Sequence, residues 1–347
     1  MMAEPRFWQS KAHPLALALL PVSLVYGLVE RANRFFVKPQ HPGKPVICVG
    51  NLTAGGAGKT PTVQYLAAHF AATKQVAILS RGYGGHLSTK SSPAIAVDPA
   101  LHDAAAVGDE PLMLAADYPV FVNPDRFASL RAAIAQGAEI AIKDDGFQNP
   151  AMANHFNLIV VDGASGLGNG YLLPAGPLRQ PLSVSLARTD AVLVQGAATH
   201  PSLTPLLAAC AAREIAVYHG HINASAPPLE TSSVFAFCGI AKPEKFFASL
   251  DTLGLTPVGQ TVFGDHHPFT DSQAKEILAQ AGAAPIVTTK KDMARLQNAA
   301  AGSYRRALAE KAKVVDITLE IEQAEGLLAQ IEQTLTARQA NQHYTSY

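Results

Sequence analysis

The sequence is poor in cysteine, in charge and in long apolar runs. Three cysteines, Cys48, Cys210 and Cys238, form no CxxC pair and leave an odd count, which excludes a disulfide framework and a cysteine zinc site. They read as buried, reduced thiols of a cytoplasmic protein. Only 16% of the 347 residues are charged, and 27 Lys plus Arg balance 27 Asp plus Glu. A net charge of zero argues against a broad electrostatic grip on nucleic acid, so any anion binding has to be local. No internal repeat or long low-complexity segment is present. Apolar side chains, by contrast, make up 48% of the chain. That is enough for a large core, and the length favours two domains.

The one unusual apolar stretch runs from Pro14 to Val29, broken by Pro21, Ser23, Tyr26 and Gly27. It falls short of the roughly 20 residues that cross a bilayer. Phe7 and Trp8 precede it with Arg6 and Lys11, and Arg31, Arg34 and Lys38 follow. Aromatics and cations bracketing a greasy segment suit a helix lying at an anionic membrane surface. A core helix, an uncleaved signal peptide and a true span are the alternatives. A helix-like tail, Leu28 to Phe36, with no small-residue cleavage site, speaks against a signal peptide.

From Pro45 onward short apolar runs alternate with amphipathic stretches, the pattern of a mostly parallel sheet covered on both faces. Strands are expected at Val46–Val49, Val76–Leu79, Val120–Val122, Ile140–Ile142, Leu158–Val161 and Ala191–Val194, with helices at Thr60–Ala71 and Arg126–Gln136. A second set of strands is expected at Val234–Phe237, Ile286–Thr288 and Val314–Ile317. Its helices fall at Pro243–Leu250, Ser272–Ala281 and Ala324–Thr336. The fold class is therefore α/β: a mostly parallel-sheet domain at 37–228, P-loop NTPase-like on the glycine-rich loop after its first strand, a smaller α/β domain at 229–347, and a membrane-interface helix at 1–36. The boundary is placed near Pro228.

After the first expected strand comes Thr53-Ala54-Gly55-Gly56-Ala57-Gly58-Lys59-Thr60, then Pro61 at a helix start. Backbone N–H groups and the dipole of such a helix hold phosphate oxygens. Lys59 is placed to bridge β- and γ-phosphates, and Thr60 to offer a hydroxyl to Mg²⁺. Thr53 stands where a strict GxxxxGK[ST] has its first glycine, with Gly55 and Gly56 supplying the backbone freedom. A P-loop also needs a metal-side carboxylate. The expected strand at 140–142 leads into Asp144 and Asp145, of which Asp145, beside Gly146, is favoured and Asp144 is a positioning group, because neighbours on a strand alternate faces.

Asp109 and Glu110 open a helix-like stretch, where acids already favour the helix dipole. In Asp265-His266-His267, adjacent histidines face apart in an extended chain, and a proton-handling role is at least as plausible as metal ligation.

In order along the chain, Thr53–Pro61, Ser80-Arg81-Gly82-Tyr83-Gly84-Gly85, Gly108–Pro111, Asp144-Asp145-Gly146-Phe147-Gln148, Leu173–Arg179 and Asp265–His267 resemble the tetraacyldisaccharide 4′-kinase family of lipid A biosynthesis, membrane-associated P-loop kinases. The chain departs from the family pattern at Asn149, commonly His, and at Gln180, commonly an acid. The resemblance implies Asp109 as base for a sugar hydroxyl, paired with His266, with Glu110 and Asp145 near the metal. Arg81, Tyr83, Asp144, Gln148 and Arg179 become candidates for the acceptor. It further implies ATP and Mg²⁺ as cofactors, an acylated disaccharide phosphate as acceptor, two α/β domains with the active site in a cleft, and a peripheral position on the cytoplasmic face of the bacterial inner membrane.

Two rivals remain. Thr289-Lys290-Lys291-Asp292 approximates the guanine-reading [NT]KxD motif of a GTPase, although the only DxxG, Asp251–Gly254, ends an expected helix. A membrane-recruited switch ATPase uses a similar loop and an amphipathic foot, but has no lipid acceptor.

Overall fold

The computed structural model describes residues 5–89 and 92–344, so the start of the expected 1–36 segment lies outside it. Its strands, in chain order, are β1 (Val46–Gly50), β2 (Val76–Ser80), β3 (Ile95–Ala96), β4 (Val120–Val122), β5 (Ile140–Asp144) and β6 (Phe156–Asp162). They continue with β7 (Ala191–Gln195), β8 (Ala216–Ser225), β9 (Ser233–Cys238), β10 (Thr256–Val262), β11 (Ile286–Thr289) and β12 (Lys313–Ile321). The first helices are α1 (Pro14–Phe36), α2 (Lys59–Ala71), α3 (Ala104–Val107) and α4 (Asp109–Ala115).

The chain forms two interleaved compact units. One gathers the described parts of 4–79, 133–222 and 319–347, and the other those of 80–132 and 223–318. The expected consecutive division at residue 228 differs from this: the segment after β2 joins the C-terminal part of the chain, a long-range association that local composition does not reveal.

The first, phosphate-loop unit is built on parallel strands in the order β2-β5-β1-β6-β7-β8. Strands β1, β2, β5 and β7 are buried along their whole length, which is why they read as unbroken apolar runs. Because β5 lies between β1 and β2, the end of β1 and the end of β5 are neighbours, with Val49 opposite Asp144. Ligands of such sheets bind at the carboxyl ends of strands where the order reverses.

The second, carboxylate unit carries parallel strands in the order β10-β9-β11-β12 and the short antiparallel pair β3–β4. Phe235, Phe237, Phe269, Ile277 and Leu296 centre its core. Strand β10 escapes sequence reading because it alternates exposed and half-buried residues and contains Pro257 and Gly259. A Cβ at Gly259 would approach the Phe235 ring to 2.8 Å.

Helix α1 joins the apolar stretch and the expected helix-like tail in one element. It passes through Pro21 without a break and runs on through Arg31 to Phe36. At 23 residues it is about 34 Å long, so length no longer separates lying on a membrane from crossing it.

Candidate functional site

In the phosphate-loop unit, the turn after β1 is shaped by glycine. Gly55 and Gly58 adopt φ of 118° and 77°, and a Cβ on Gly58 would land on the amide of Gln195. That amide donates to Gly58 O and to Thr62 Oγ1, both at 2.9 Å. Gly58 is followed by α2, which no side chain caps. Its first-turn N–H groups are thus left for an anion, with Lys59 and Thr60 at the mouth. Asn51, fully buried, donates to Thr53 O and Gly55 O and holds the loop from inside.

Beside the loop, β5 ends at Asp144, 4% exposed, so an acceptor arriving from solvent has little of it to touch. Asp145 has already left strand geometry at φ 46°, so strand alternation does not decide between the two acids. Its carboxylate lies 3.7 Å from Lys59 Nζ and accepts from Arg179 Nη1 at 3.0 Å. Gln148 joins the group, accepting from Arg179 and donating to Asn51 O at 2.6 Å. Lys59, Thr60, Asp145, Gln148 and Arg179 are therefore brought together.

The carboxylate unit assembles the remaining candidates. Gly108, at φ 93°, sits where a Cβ would press on Tyr83 O, and it admits α4 with Asp109 at its head. Asp109 is 5% exposed, and His266 Nδ1 lies 2.9 and 3.0 Å from its two oxygens. The Tyr83 ring is 5.9 Å from that of His266. Arg295 clasps the same carboxylate through Nε at 2.8 Å and through Nη2. Lys291 bonds Glu110 at 3.1 Å and stands 3.9 Å from Asp109. Burial alone would raise the Asp109 carboxyl; the His266 hydrogen bond and the Lys291 and Arg295 charges outweigh it and hold it far below the usual carboxylate range. Burial pulls Lys291 down in turn, but Glu110, Asp109 and Asp265 raise it.

The neighbouring histidines part company, though not by extended-chain alternation, since His266 lies in a turn at φ 58°. His267 stacks on Phe263 and pairs with Gln273 at the cap of the helix Asp271–Ala281, a packing role. Arg81 lies in the same unit, its carbonyl accepting from Ser88.

Sequence reasoning missed Lys291 and Arg295. The segment Thr289–Asp292 had drawn attention as a base-reading motif, yet Asp292 is fully buried, accepting from Gly239 N, Arg295 Nη1 and Thr289 Oγ1. It has no edge to offer a guanine. Its role is to hold Arg295, which holds Asp109.

A glycine-led, uncapped helix start with a lysine facing a carboxylate is the arrangement of P-loop proteins. A family model described as Tetraacyldisaccharide-1-P 4'-kinase matches residues 15–336. The chain belongs to that family. The tetraacyldisaccharide 4'-kinase of Parvibaculum lavamentivorans is 43% identical over 343 residues, covering 96% of this chain and 98% of its own. The enzyme of the same name from Nitrobacter hamburgensis is 44% identical over 303 residues, covering 86% and 88%. Among solved structures, LpxK from Aquifex aeolicus, determined in complex with ATP, superposes with a TM-score of 0.68 at 25% identity, covering 92% of this chain and 99% of that one.

Proposed function

We propose that the family reaction, transfer of the γ-phosphoryl group of ATP to the 4′-hydroxyl of a tetraacyldisaccharide 1-phosphate, is divided between these two residue groups. The observation that carries the reading is the uncapped start of α2, led by Gly58, with Lys59 opposite Asp145. The polyphosphate lies on residues 53–60, its oxygens met by the α2 N–H groups, while Lys59 neutralises charge as the γ-phosphoryl loosens from ADP. Thr60 and Asp145 are hard oxygen donors beside the loop, a set that fits Mg²⁺, which takes one or two protein oxygens and completes its shell with phosphate and water. When bound, that ion would supply further neutralisation of the phosphate charge.

Asp109, kept ionised by Arg295 and Lys291, and His266, oriented through Nδ1, form the pair that takes the proton from the 4′-hydroxyl. A loose transition state asks little of the base, so a weakly basic carboxylate suffices late in transfer. Arg81, Tyr83, Gln148 and Arg179 are assigned to the acceptor, whose 1-phosphate suits a guanidinium fork.

The exposed apolar side chains of α1, among them Leu24, Val25, Leu28 and Val29, are assigned to the cytoplasmic surface of the inner membrane, where an acylated acceptor resides. The opposite side is committed to protein: Ser23 donates to Leu172 O, and Ala16 is fully buried. This favours lying on the bilayer over crossing it. Incubation with ATP labelled at the γ-phosphate, Mg²⁺ and a defined disaccharide lipid in mixed micelles tests the reading. Label in the lipid is expected; ATP hydrolysis with unlabelled lipid overturns it in favour of a switch ATPase.

A further inference from the structure

Helix α1 does more in this molecule than present an apolar face. A polar stripe at positions 23, 26 and 30 runs down its inner side, and every member bonds the segment from Leu172 to Gln180. Ser23 Oγ donates to Leu172 O at 2.9 Å and accepts from Ala175 N at 3.0 Å. Tyr26 Oη donates to Arg179 O at 3.1 Å. Glu30 Oε1 accepts from Gln180 Nε2 at 2.6 Å, and Gln180 Oε1 in turn accepts from Arg188 Nη2 at 2.8 Å. Gln180 is 2% exposed, so its side chain is fixed by these two bonds.

The same segment is tied to the phosphate loop on its other side. Arg179 N donates to Leu52 O at 3.0 Å and Ala54 N donates to Pro177 O at 2.8 Å. Arg179 thus emerges from a strip held by backbone bonds to the loop and by α1 side chains, and its guanidinium ends on Asp145 and Gln148. Backbone bonds set where the strip lies; Tyr26 holds the carbonyl of Arg179 itself, and Glu30 holds the side chain of the next residue, Gln180.

We infer that Tyr26 and Glu30 are positioning residues for phosphoryl transfer, aiming Arg179 at the acceptor through its own carbonyl and through Gln180. The inference rests on the assignment of Arg179 to the acceptor made above. Because the backbone ties to Leu52 and Ala54 do not involve α1, the loop keeps its place, and the effect falls more on acceptor binding than on ATP, which Arg179 reaches only through Asp145. Neither side chain contributes to the exposed apolar face, so membrane partition is unaffected.

The test compares Tyr26→Phe, Glu30→Ala, Arg179→Ala and the triple variant in the mixed-micelle assay, varying lipid and ATP separately. Tyr26→Phe raises the acceptor KM by about three- to tenfold, the effect of one lost hydrogen bond; Glu30→Ala does so at least as much and also lowers the thermal midpoint, since it breaks the Arg34 pair and leaves the buried Gln180 amide without an acceptor, while the ATP KM changes less than the acceptor KM in both. Added to Arg179→Ala, they cause no further rise. The exchange Glu30→Gln with Gln180→Glu, which restores a carboxylate and an amide across the same bond, recovers the acceptor KM. If Arg179→Ala leaves the acceptor KM unaltered, the assignment of Arg179 fails. If Arg179→Ala raises it but the α1 variants do not, or if they raise both KM values together or add fully to Arg179→Ala, the inference about α1 is overturned.

Discussion

The two units solve the same electrostatic problem in opposite ways. In the phosphate-loop unit, the proposed anion site is mostly backbone: two glycines of positive φ and an uncapped helix start, with one lysine, contributed by a single run of the chain. In the carboxylate unit it comes from side chains contributed by distant segments, with Asp109 bonded to His266 and Arg295, 157 and 186 residues away. A backbone cradle is specified by a short motif and tolerates variation around it. A side-chain cluster is specified by nothing local, and removing one member leaves a buried charge behind.

That contrast breaks most sharply at Lys59. Lys59→Ala should lower kcat by about a thousandfold or more, the scale of a lost transition-state charge contact, with the fold intact because the loop is held by Asn51 and Gln195. Near-normal turnover would reject the phosphate-loop assignment. Asp109→Asn should also lower kcat, by about 10²- to 10⁴-fold, with nucleotide affinity retained; an equal loss of ATP affinity would make Asp109 a metal ligand instead. Unlike Lys59→Ala, it should destabilise the protein, by roughly 1–3 kcal/mol, because the buried Arg295 keeps Asp292 and Gly239 O but loses the charge of Asp109. The folded-state pKa of Asp109 is depressed, so its stabilising contribution is present above the unfolded carboxylate value near 4 and is lost as pH falls below it. The gap in thermal midpoint between wild type and Asp109→Asn should therefore narrow on acidification below about pH 4. A constant gap would mean that Asp109 carries no linked charge.

The same contrast explains what could be read in advance. Strands β1, β5, β6 and β7 announced themselves as apolar runs, and the loop between β1 and α2 as a glycine-rich motif, because both are properties of consecutive residues. Strand β10 did not, since one exposed side and Gly259 leave no run to see. The reach of α1 to Phe36 was legible as an apolar stretch leading into a helix-like tail, whereas its inner polar stripe was not, because Ser23, Tyr26 and Glu30 are matched only by distant residues. Lys291 and Arg295 were invisible for a different reason. Their sequence neighbourhood is a good local imitation of a base-reading motif, and only the burial of Asp292 shows that it faces inward. Asp145 lies between these cases: the motif pointed to it, but the left-handed backbone that frees its carboxylate from strand alternation is a tertiary feature.

A smaller effect separates the two sides of α1. Leu24 and Leu28 are 67% and 60% exposed, whereas Ser23 is 4% exposed. Leu24→Asp with Leu28→Asp should weaken binding to anionic vesicles by about 10- to 100-fold, the cost of withdrawing two large apolar side chains from lipid. Activity toward a detergent-dispersed acceptor should fall less. Vesicle binding that does not change would show that this face is not the one that meets the membrane.

The last comparison asks whether the two units open independently. All three cysteines are buried, Cys48 and Cys210 in the phosphate-loop unit and Cys238 in the carboxylate unit. Burial raises the Cys210 thiol and pushes that of Cys238 up to about 12, so labelling of either requires local opening. ATP at a hundred times its Kd stabilises the state that binds it by about 2.7 kcal/mol, equivalent to a labelling rate about a hundredfold slower wherever opening destroys the nucleotide site. Residue-resolved alkylation in mild denaturant, followed by mass spectrometry, should show that protection at Cys48 and Cys210, with Cys238 much less affected. Equal protection at all three would mean that the cluster of side chains around Asp109 and the cradle around Lys59 open in one cooperative step, and the division of labour between them would then be chemical only, without a counterpart in stability.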